Sequence, residues 1–246
     1  MIPKVLHQIW VGPDPLPEEF AAYRQTWLRH HPQWEHHLWT EENLPHDLRR
    51  PEGYERLRVP AERSDILRYE VLWTFGGIYV DTDFECHRPL DPLIDGLDFV
   101  IAPLKPNGWA NNAFMGATPQ HPIIDRCLTE LRPREFHGYD KHATGPRFLD
   151  TLLADYPEIT RLPAELFYQT SPTQLANAVA THHAAGSWKS LDSYRNAVKL
   201  AEQRNYELRG RIERLEQELE TTKARLARAE ARTGGRRGFL TRTRGR

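Results

Sequence analysis

Cysteine is nearly absent from this chain, with only Cys86 and Cys127 among 246 residues. Two thiols cannot build a disulfide framework, and no Cys-x-x-Cys occurs, so a reducing compartment fits. Long apolar runs are absent as well. None approaches the roughly 18 residues needed to cross a bilayer. The opening Met1 to Trp10 lacks a basic stretch followed by a long apolar one, so it does not read as a signal peptide. Together these absences lead to the expectation of a cytoplasmic protein. A dominant charge sign is missing too: 33 Lys and Arg stand against 34 Asp and Glu, for a net charge of −1. That balance argues against nucleic acid as a partner. The exception is local. Residues 233–246 carry five arginines and no acid, a basic tail that reads as disordered and solvated, with weak contact to an anionic surface as its functional alternative.

What is present is an α/β pattern. Val5 to Val11 is a short apolar run ending at Gly12-Pro13 and reads as a buried strand. A helix is expected near Glu18 to Arg29 and a strand at His36 to Trp39. Asn43 to Tyr54 is polar and proline-punctuated, suiting loop or short helix. Pro60 to Phe75 is the clearest helix, with proline at a favoured first position and Gly76-Gly77 at its end. Ile66, Leu67, Tyr69, Leu72, Trp73 and Phe75 give it an apolar face. Ile78 to Val80 then reads as a strand running straight into Asp81-Thr82-Asp83. Further on come a strand at Leu97 to Ala102, a loop at Pro103 to Asn112, and helices at Ile123 to Leu131 and Pro146 to Asp155. Alternating strands and helices argue for an α/β fold.

From Leu191 the texture changes. Proline vanishes and a seam runs Leu191, Tyr194, Val198, Ala201, Asn205, Leu208, Ile212, Leu215, Leu219, Thr222, Leu226, Ala229. Spacings of three and four sustained over six repeats predict a coiled coil, with Asn205 as a polar residue at an a position that fixes register. A single helix folded back on the domain is the plainer alternative. The expected organisation is therefore a domain over 1–189, a coiled-coil helix over 190–232 that makes the protein a homodimer, and the tail over 233–246.

The residues with chemical potential centre on Asp81 and Asp83. At i and i+2 of a strand end, both carboxylates leave on one side. Two like charges there repel, and a hard divalent cation such as Mn²⁺ or Mg²⁺ relieves the repulsion. Strand C-termini are also where open α/β sheets bind ligands. A solvated Asp-Thr-Asp turn is the plain alternative. Upstream, Asp65 and Arg68 are helix neighbours at i and i+3. A surface ion pair accounts for them without function, but the packed helix beside them favours a site wall.

The run Ala61 to Tyr69, followed by Gly76 to Asp83, resembles the sugar-binding region of Asp-x-Asp glycosyltransferases of family 32, the capsular-polysaccharide and mannosyltransferase-like enzymes. It is more distantly similar to the clostridial glucosylating toxins. The opening Ile2 to Gly12 resembles the family's first strand, and His182-His183-Ala184-Ala185-Gly186-Ser187-Trp188 its closing motif. The resemblance spans roughly residues 1 to 188. It implies a GT-A fold with a Rossmann-like sheet, a nucleotide-diphosphate sugar donor, a glycan or other hydroxyl acceptor, Mn²⁺ or Mg²⁺, and retention of anomeric configuration.

By the same resemblance, Trp10 stacks on the donor base, and Asp65 and Arg68 bind the transferred sugar. Asp81 lies nearer the sugar and ribose, while Asp83 ligates the metal. Asn111 or Asn112 contacts the sugar. His182, Ser187 and Trp188 lie near the metal and diphosphate, with His182 as a further ligand and Trp188 donating its indole N–H. Plain alternatives are a core role for Trp10 and a surface pair for His182 and His183. Two other functions fit parts of the pattern. A haloacid-dehalogenase-type phosphohydrolase also places Asp-x-Asp after an apolar strand, but Phe84-Glu85-Cys86 departs from what usually follows there. A non-catalytic coiled-coil scaffold leaves the intact acidic motif unexplained.

Overall fold

Strand β1 (Val5–Ile9) forms where the sequence is apolar and β-branched, and it pairs in parallel with two neighbours. On one side lies β2 (Glu35–Trp39), reached through helix α1 (Glu18–His30), with Val5 opposite Glu35 and Ile9 opposite Trp39. On the other lies β3 (Gly77–Val80), with Leu6 opposite Ile78 and His7 opposite Tyr79. The computed structural model describes residues 1–12, 14–57, 59–106, 108–131, 144–169, 172–186 and 208–224. The chain divides into two units, Met1–Trp188 and Lys189–Arg246.

Two helices precede β3: the short α2 (Pro51–Arg56) and α3 (Pro60–Phe75). α3 carries proline in its first turn and buries nine residues, including Glu62, Asp65, Arg68 and Glu70. It is a central helix rather than an amphipathic one with a single apolar face. Its exit needs two glycines. Gly76 has φ 64°, and a Cβ there would lie 2.5 Å from the Pro119 ring. Gly77 has φ 94°, and a Cβ would lie 2.4 Å from the Val5 carbonyl oxygen. The positive φ and the close approach of β1 both demand glycine.

After β3 the chain makes β4 (Phe84–Cys86), the short α4 (Asp91–Ile94), β5 (Phe99–Pro103) and β6 (Ala110–Ala117). It then makes α5 (Pro122–Glu130), α6 (Pro146–Leu153), β7 (Thr160–Arg161), α7 (Pro172–Leu175) and β8 (Ala180–His182). The main sheet runs β2-β1-β3-β6-β5-β7, and β4 pairs with β8 in a separate two-stranded sheet. The expected α/β class holds. β6 is antiparallel to both β3 and β5, so the sheet is mixed, with parallel pairing only at β1–β2, β1–β3 and β5–β7.

β6 is also where the expected loop over Pro103 to Asn112 fails at both ends. Its sequence, ANNAFMGA, is buried throughout. It therefore shows no alternation, and its asparagines and glycine are poor strand formers. Tertiary pairing with β3 and β5 overrides that weak local preference.

Two apolar clusters sandwich the sheet. One joins Ile9, Tyr79, Ile101 and Met115 to α3, α5 and α6. The other joins Leu6, Ile78, Val80, Val100 and Phe114 to Trp27 of α1 and to Phe167. Tyr79 faces one cluster while Ile78 and Val80 face the other, as strand alternation requires. No helix among the described residues is long and apolar enough to cross a membrane.

In the second unit, residues 208–224 form a helix, α8. Leu208, Ile212, Leu215 and Leu219 line it at coiled-coil spacing, each about half exposed in the single chain. Thr222 also lies on this helix, its hydroxyl donating to the Glu218 carbonyl at 2.8 Å; the remaining seam positions, Asn205 among them, and the basic tail lie outside the described residues.

Candidate active site

β1 and β3 run in parallel, so their C-terminal ends share one edge of the sheet. β6 runs the other way, which brings its N-terminal end to that edge. The chain therefore delivers Trp10, Asp81 and Asn111-Asn112 to one place from three distant segments. The amide of Asp81 donates to the Ala113 carbonyl at 2.9 Å, extending the β3–β6 ladder by one residue.

The two acidic residues converge by a different route from the one read in the sequence. Strand β3 stops at Val80. Residues 81–84 make a tight turn in which the Phe84 amide donates to the Asp81 carbonyl at 3.2 Å. The turn, rather than strand alternation, aims the carboxylates together. β4 then leaves to pair with β8, with Phe84 opposite His182. That pairing lays the His182 ring on Phe84, centroids 4.5 Å apart and nearly coplanar. Ligand atoms of Asp81, Asp83 and His182 end up within 4.8 Å of one another.

His182 Nε2 lies 3.2 Å from Asp83 Oδ1, with both side chains almost buried. The Ala185 amide donates to Asp83 Oδ2 at 2.9 Å. Burial pushes the Asp83 carboxyl up, but the His182 hydrogen bond and charge, with the Ala185 amide, outweigh it and hold it below its ordinary value. Burial likewise disfavours the His182 imidazolium, yet Asp83, and then Asp81, raise its pKa overall. Asp81 goes the other way. Burial raises its pKa, opposed by Arg68 and reinforced by the like charge of Asp83. Two carboxylates and one imidazole at this spacing fit a divalent cation that takes mainly oxygen ligands and tolerates one nitrogen.

Beside this set stands a buried polar wall. Arg68 is held by Asp65 at 2.9 Å and faces Asp81 at 3.3 Å, and its own side chain is only 6% exposed. A surface ion pair is thereby excluded for Asp65 and Arg68. Asp65 also accepts from the Asn112 amide at 2.7 Å and the Thr144 hydroxyl at 2.8 Å. Arg68 Nη1 donates to the Asn112 carbonyl at 2.6 Å. The guanidinium lies over the Tyr79 ring, and the Tyr79 hydroxyl donates to Asp81 Oδ1 at 2.7 Å.

A bulge makes this wall possible. On β5 Ile101 pairs with Met115 and the next residue, Ala102, with Asn111, so Asn112 to Phe114 have no partner there. The extra residues re-aim Asn112 at Asp65. The Asn111 side chain instead accepts from the Ala113 amide at 3.3 Å. The two asparagines thus do different things, and Asn112 is committed to bracing Asp65.

Trp10 stands just past β1, partly buried, its indole N–H donating to the Asp14 carbonyl at 2.8 Å. It packs edge-on against Phe20, and rings continue through Tyr23 to His183, which Tyr23 stacks at 4.3 Å. Full core burial of Trp10 is excluded. His183 is paired with Glu85 at 3.1 Å, so it is not a loose surface histidine. Ser187 and Trp188 lie outside the described residues.

Four contributors escaped the sequence reading: Tyr79, Thr144, Tyr168 and the Ala185 amide. Tyr79 was legible, since it sits two residues before Asp81. Thr144 and Tyr168 come from segments with no motif, and Ala185, within the closing motif, acts through a backbone amide that no side-chain pattern marks. Tyr168 packs edge-on against Phe84 and His182. Burial raises its phenol pKa well above normal, and Asp81 and Asp83 push the same way.

Comparison with known proteins bears out the resemblance read from the sequence. Residues 17–100 match the model described as a glycosyltransferase sugar-binding region containing a DXD motif, a stretch that includes Asp65, Arg68, Asp81 and Asp83. Inositol phosphoceramide mannosyltransferase 1 of Schizosaccharomyces pombe is 29% identical over 210 residues, covering 78% of this chain and 64% of that protein. Mannosyl phosphorylinositol ceramide synthase SUR1 of Saccharomyces cerevisiae is 33% identical over 171 residues, covering 63% of this chain and 43% of that protein. The chain thus spans less than two thirds of either relative. Among solved structures, the PaToxG glycosyltransferase matches with a TM-score of 0.52 at 19% identity, over 63% of this chain and 70% of that one, a likeness of fold.

Proposed function

We propose that this chain, which carries a glycosyltransferase sugar-binding region of the DXD type, transfers a hexose from a nucleotide-diphosphate sugar to an acceptor hydroxyl, with a divalent cation bound. The observation that carries this reading is the meeting of Asp81, Asp83 and His182 beside the Arg68–Asp65–Asn112 wall, at one edge of the sheet. Asp83 and His182, with Asp81, would hold Mn²⁺ or Mg²⁺. A cation there supplies Lewis-acid stabilisation of the negative charge that grows on the departing diphosphate.

The protein's own groups account for orientation. Asp65 is fixed on both oxygens by Arg68, Asn112 and Thr144. In this proposal it is a rigid part of the wall against which the transferred sugar is held. Arg68 brings a fixed positive charge to the same face without needing water to reorganise. Trp10, at the end of β1, offers a ring face for the base. Asn111, Ser187 and Trp188 complete the donor-binding set of this proposal.

Asp81 accepts from Tyr79 and faces Arg68, which makes it a poor nucleophile for phosphomonoester hydrolysis or for a double displacement. Retention of configuration by same-face attack of the acceptor follows as part of the proposal. Both named relatives carry mannose in their names, so a mannosyl donor is the first to test. The exposed apolar stripe of α8 fits a homodimer formed through this helix.

The test is a thermal-shift panel of nucleoside diphosphates with and without Mn²⁺, followed by nucleotide-sugar turnover with the best base. A cation-dependent shift and release of nucleoside diphosphate are expected. Phosphate release from simple monoesters, or no binding at all, would overturn the reading.

A further inference from the structure

The site contains a hydroxyl that is buried and unused. Tyr168 follows Phe167 at the end of a short 3-10 turn (Ala164–Leu166), and its backbone amide donates to the Ala164 carbonyl at 2.7 Å. The side chain is only 9% exposed. Its hydroxyl makes no hydrogen bond with any described residue. Burying an unsatisfied hydroxyl is costly, and folded proteins rarely leave one without a reason.

The surroundings supply the reason. The Tyr168 ring meets the edge of His182 at 5.5 Å and of Phe84 at 5.8 Å, so it packs directly on the proposed cation ligand and on the turn that follows Asp83. The charges of Asp81, Asp83 and Arg68 are all felt at the phenol, and the Asn111 side-chain amide favours the ionised oxygen, so it approaches as a donor and gives the O–H no acceptor. Each of those polar groups already has partners. Asp83 is engaged by His182 and the Ala185 amide, Asp81 by Tyr79 and Arg68, and Asn111 by the Ala113 amide. A phenol O–H next to two carboxylates that bonds neither leaves a donor for a third party.

We propose that Tyr168 is a donor-binding residue whose hydroxyl donates a hydrogen bond to a diphosphate oxygen of the nucleotide sugar held at Asp81, Asp83 and His182. An oxygen of the diphosphate is the best fit in chemical class. A cation held by Asp81, Asp83 and His182 would draw anionic ligand oxygens to the group on which Tyr168 packs, and an anionic oxygen accepts strongly from a neutral O–H. The inference rests on the nucleotide-sugar reading above. It adds a residue from the segment before β8, outside the stretch matched by the family model.

The test is Tyr168→Phe, which removes one oxygen and keeps the packing. Three measurements are needed on wild type and variant: the ligand-free melting temperature, Mn²⁺ affinity alone, and affinity for a nucleoside diphosphate with Mn²⁺. The probe is whichever of UDP, GDP and ADP gives the largest Mn²⁺-dependent shift with wild type, with its phosphate-free nucleoside as control. The variant is expected to melt at the same temperature or higher, because an unsatisfied hydroxyl is gone. Its Mn²⁺ and nucleoside affinities should be unchanged, and its diphosphate affinity roughly ten-fold weaker or more. Equal diphosphate affinity in the two proteins overturns the inference while leaving the glycosyltransferase reading in place. A lowered melting temperature accompanied by weaker Mn²⁺ binding overturns it too, by making the hydroxyl structural. Absence of Mn²⁺-dependent diphosphate binding in wild type overturns the parent reading instead.

Discussion

Acid should destabilise this protein through two buried histidines. His7 is fully buried in β1. Its Nδ1 accepts from the Trp39 indole at 3.1 Å, so Nε2 carries the proton and donates it to the Gly76 carbonyl at 2.8 Å. That carbonyl lies in the glycine pair that turns α3 into β3. His31, also buried, accepts from the Leu90 amide at Nε2, 2.8 Å, and so donates from Nδ1 to the Trp27 carbonyl at 3.2 Å. Each ring has one nitrogen facing a donor, and a second proton there would break that bond. Burial is the main cause that lowers both pKa values from 6.5 to about 4.

The sign follows from which state takes up protons. Below pH 6.5 the unfolded chain protonates these histidines and the folded one does not, so stability falls as pH drops and the loss is complete near pH 4. A depression from 6.5 to about 4 corresponds to about 3 kcal/mol for each histidine. At pH 5 the same relation gives about 2 kcal/mol each. His36 and His121 shift in the same direction, and His182, Asp81 and Glu70 oppose them. Against a total stability of about 5–15 kcal/mol, the sum is a large share.

The assay is urea unfolding followed by tryptophan fluorescence at pH 7, 6, 5 and 4.5, with histidine ring nitrogens titrated by NMR. The fitted stability should fall steeply between pH 6.5 and 4.5, with His7 remaining the Nε2–H tautomer throughout. A flat profile over that range, or a His7 titration midpoint above 6, would refute the reasoning.

Three further outcomes follow from the site and the second unit. Asp83→Ala should remove Mn²⁺-dependent nucleotide binding and keep a native far-UV spectrum; calorimetry showing normal affinity would exclude Asp83 as a ligand. Arg68→Met should cost about 3–5 kcal/mol, because it strands Asp65 in a buried position. Adding Asp65→Asn should restore stability in a melt but not transfer activity, and failure of the double variant to recover would mean that packing of the Arg68 stem dominates. Sedimentation should find the full chain dimeric at micromolar concentration and a form ending at Lys189 monomeric; a dimer persisting after truncation would place the contact elsewhere.

The elements whose identity is written in local chemistry were legible in advance. β1, α1, α3 and β3 follow from apolar runs, a helix-starting proline and the Gly76-Gly77 exit, and the acidic motif is visible as sequence. Asp65 and Arg68 were legible as neighbours on α3, because helical spacing is local. Local spacing thus identifies the charged residues on α3 and after β3, together with the strand that carries Asp81.

Tertiary structure decided the rest. β6 has no strand signature of its own and exists through pairing with β3 and β5, so the mixed sheet could not be read from alternation. Asn112 reaches Asp65 only because a bulge re-aims it, and Thr144 reaches the same carboxylate from 79 residues away. Asp81 and Asp83 converge through a turn and not through strand geometry. His182 joins them because β8 pairs with β4, a contact across about a hundred residues of chain that no local preference encodes. Tyr168 belongs to no motif at all. Its hydroxyl becomes conspicuous only when burial is known and every neighbour already has a partner.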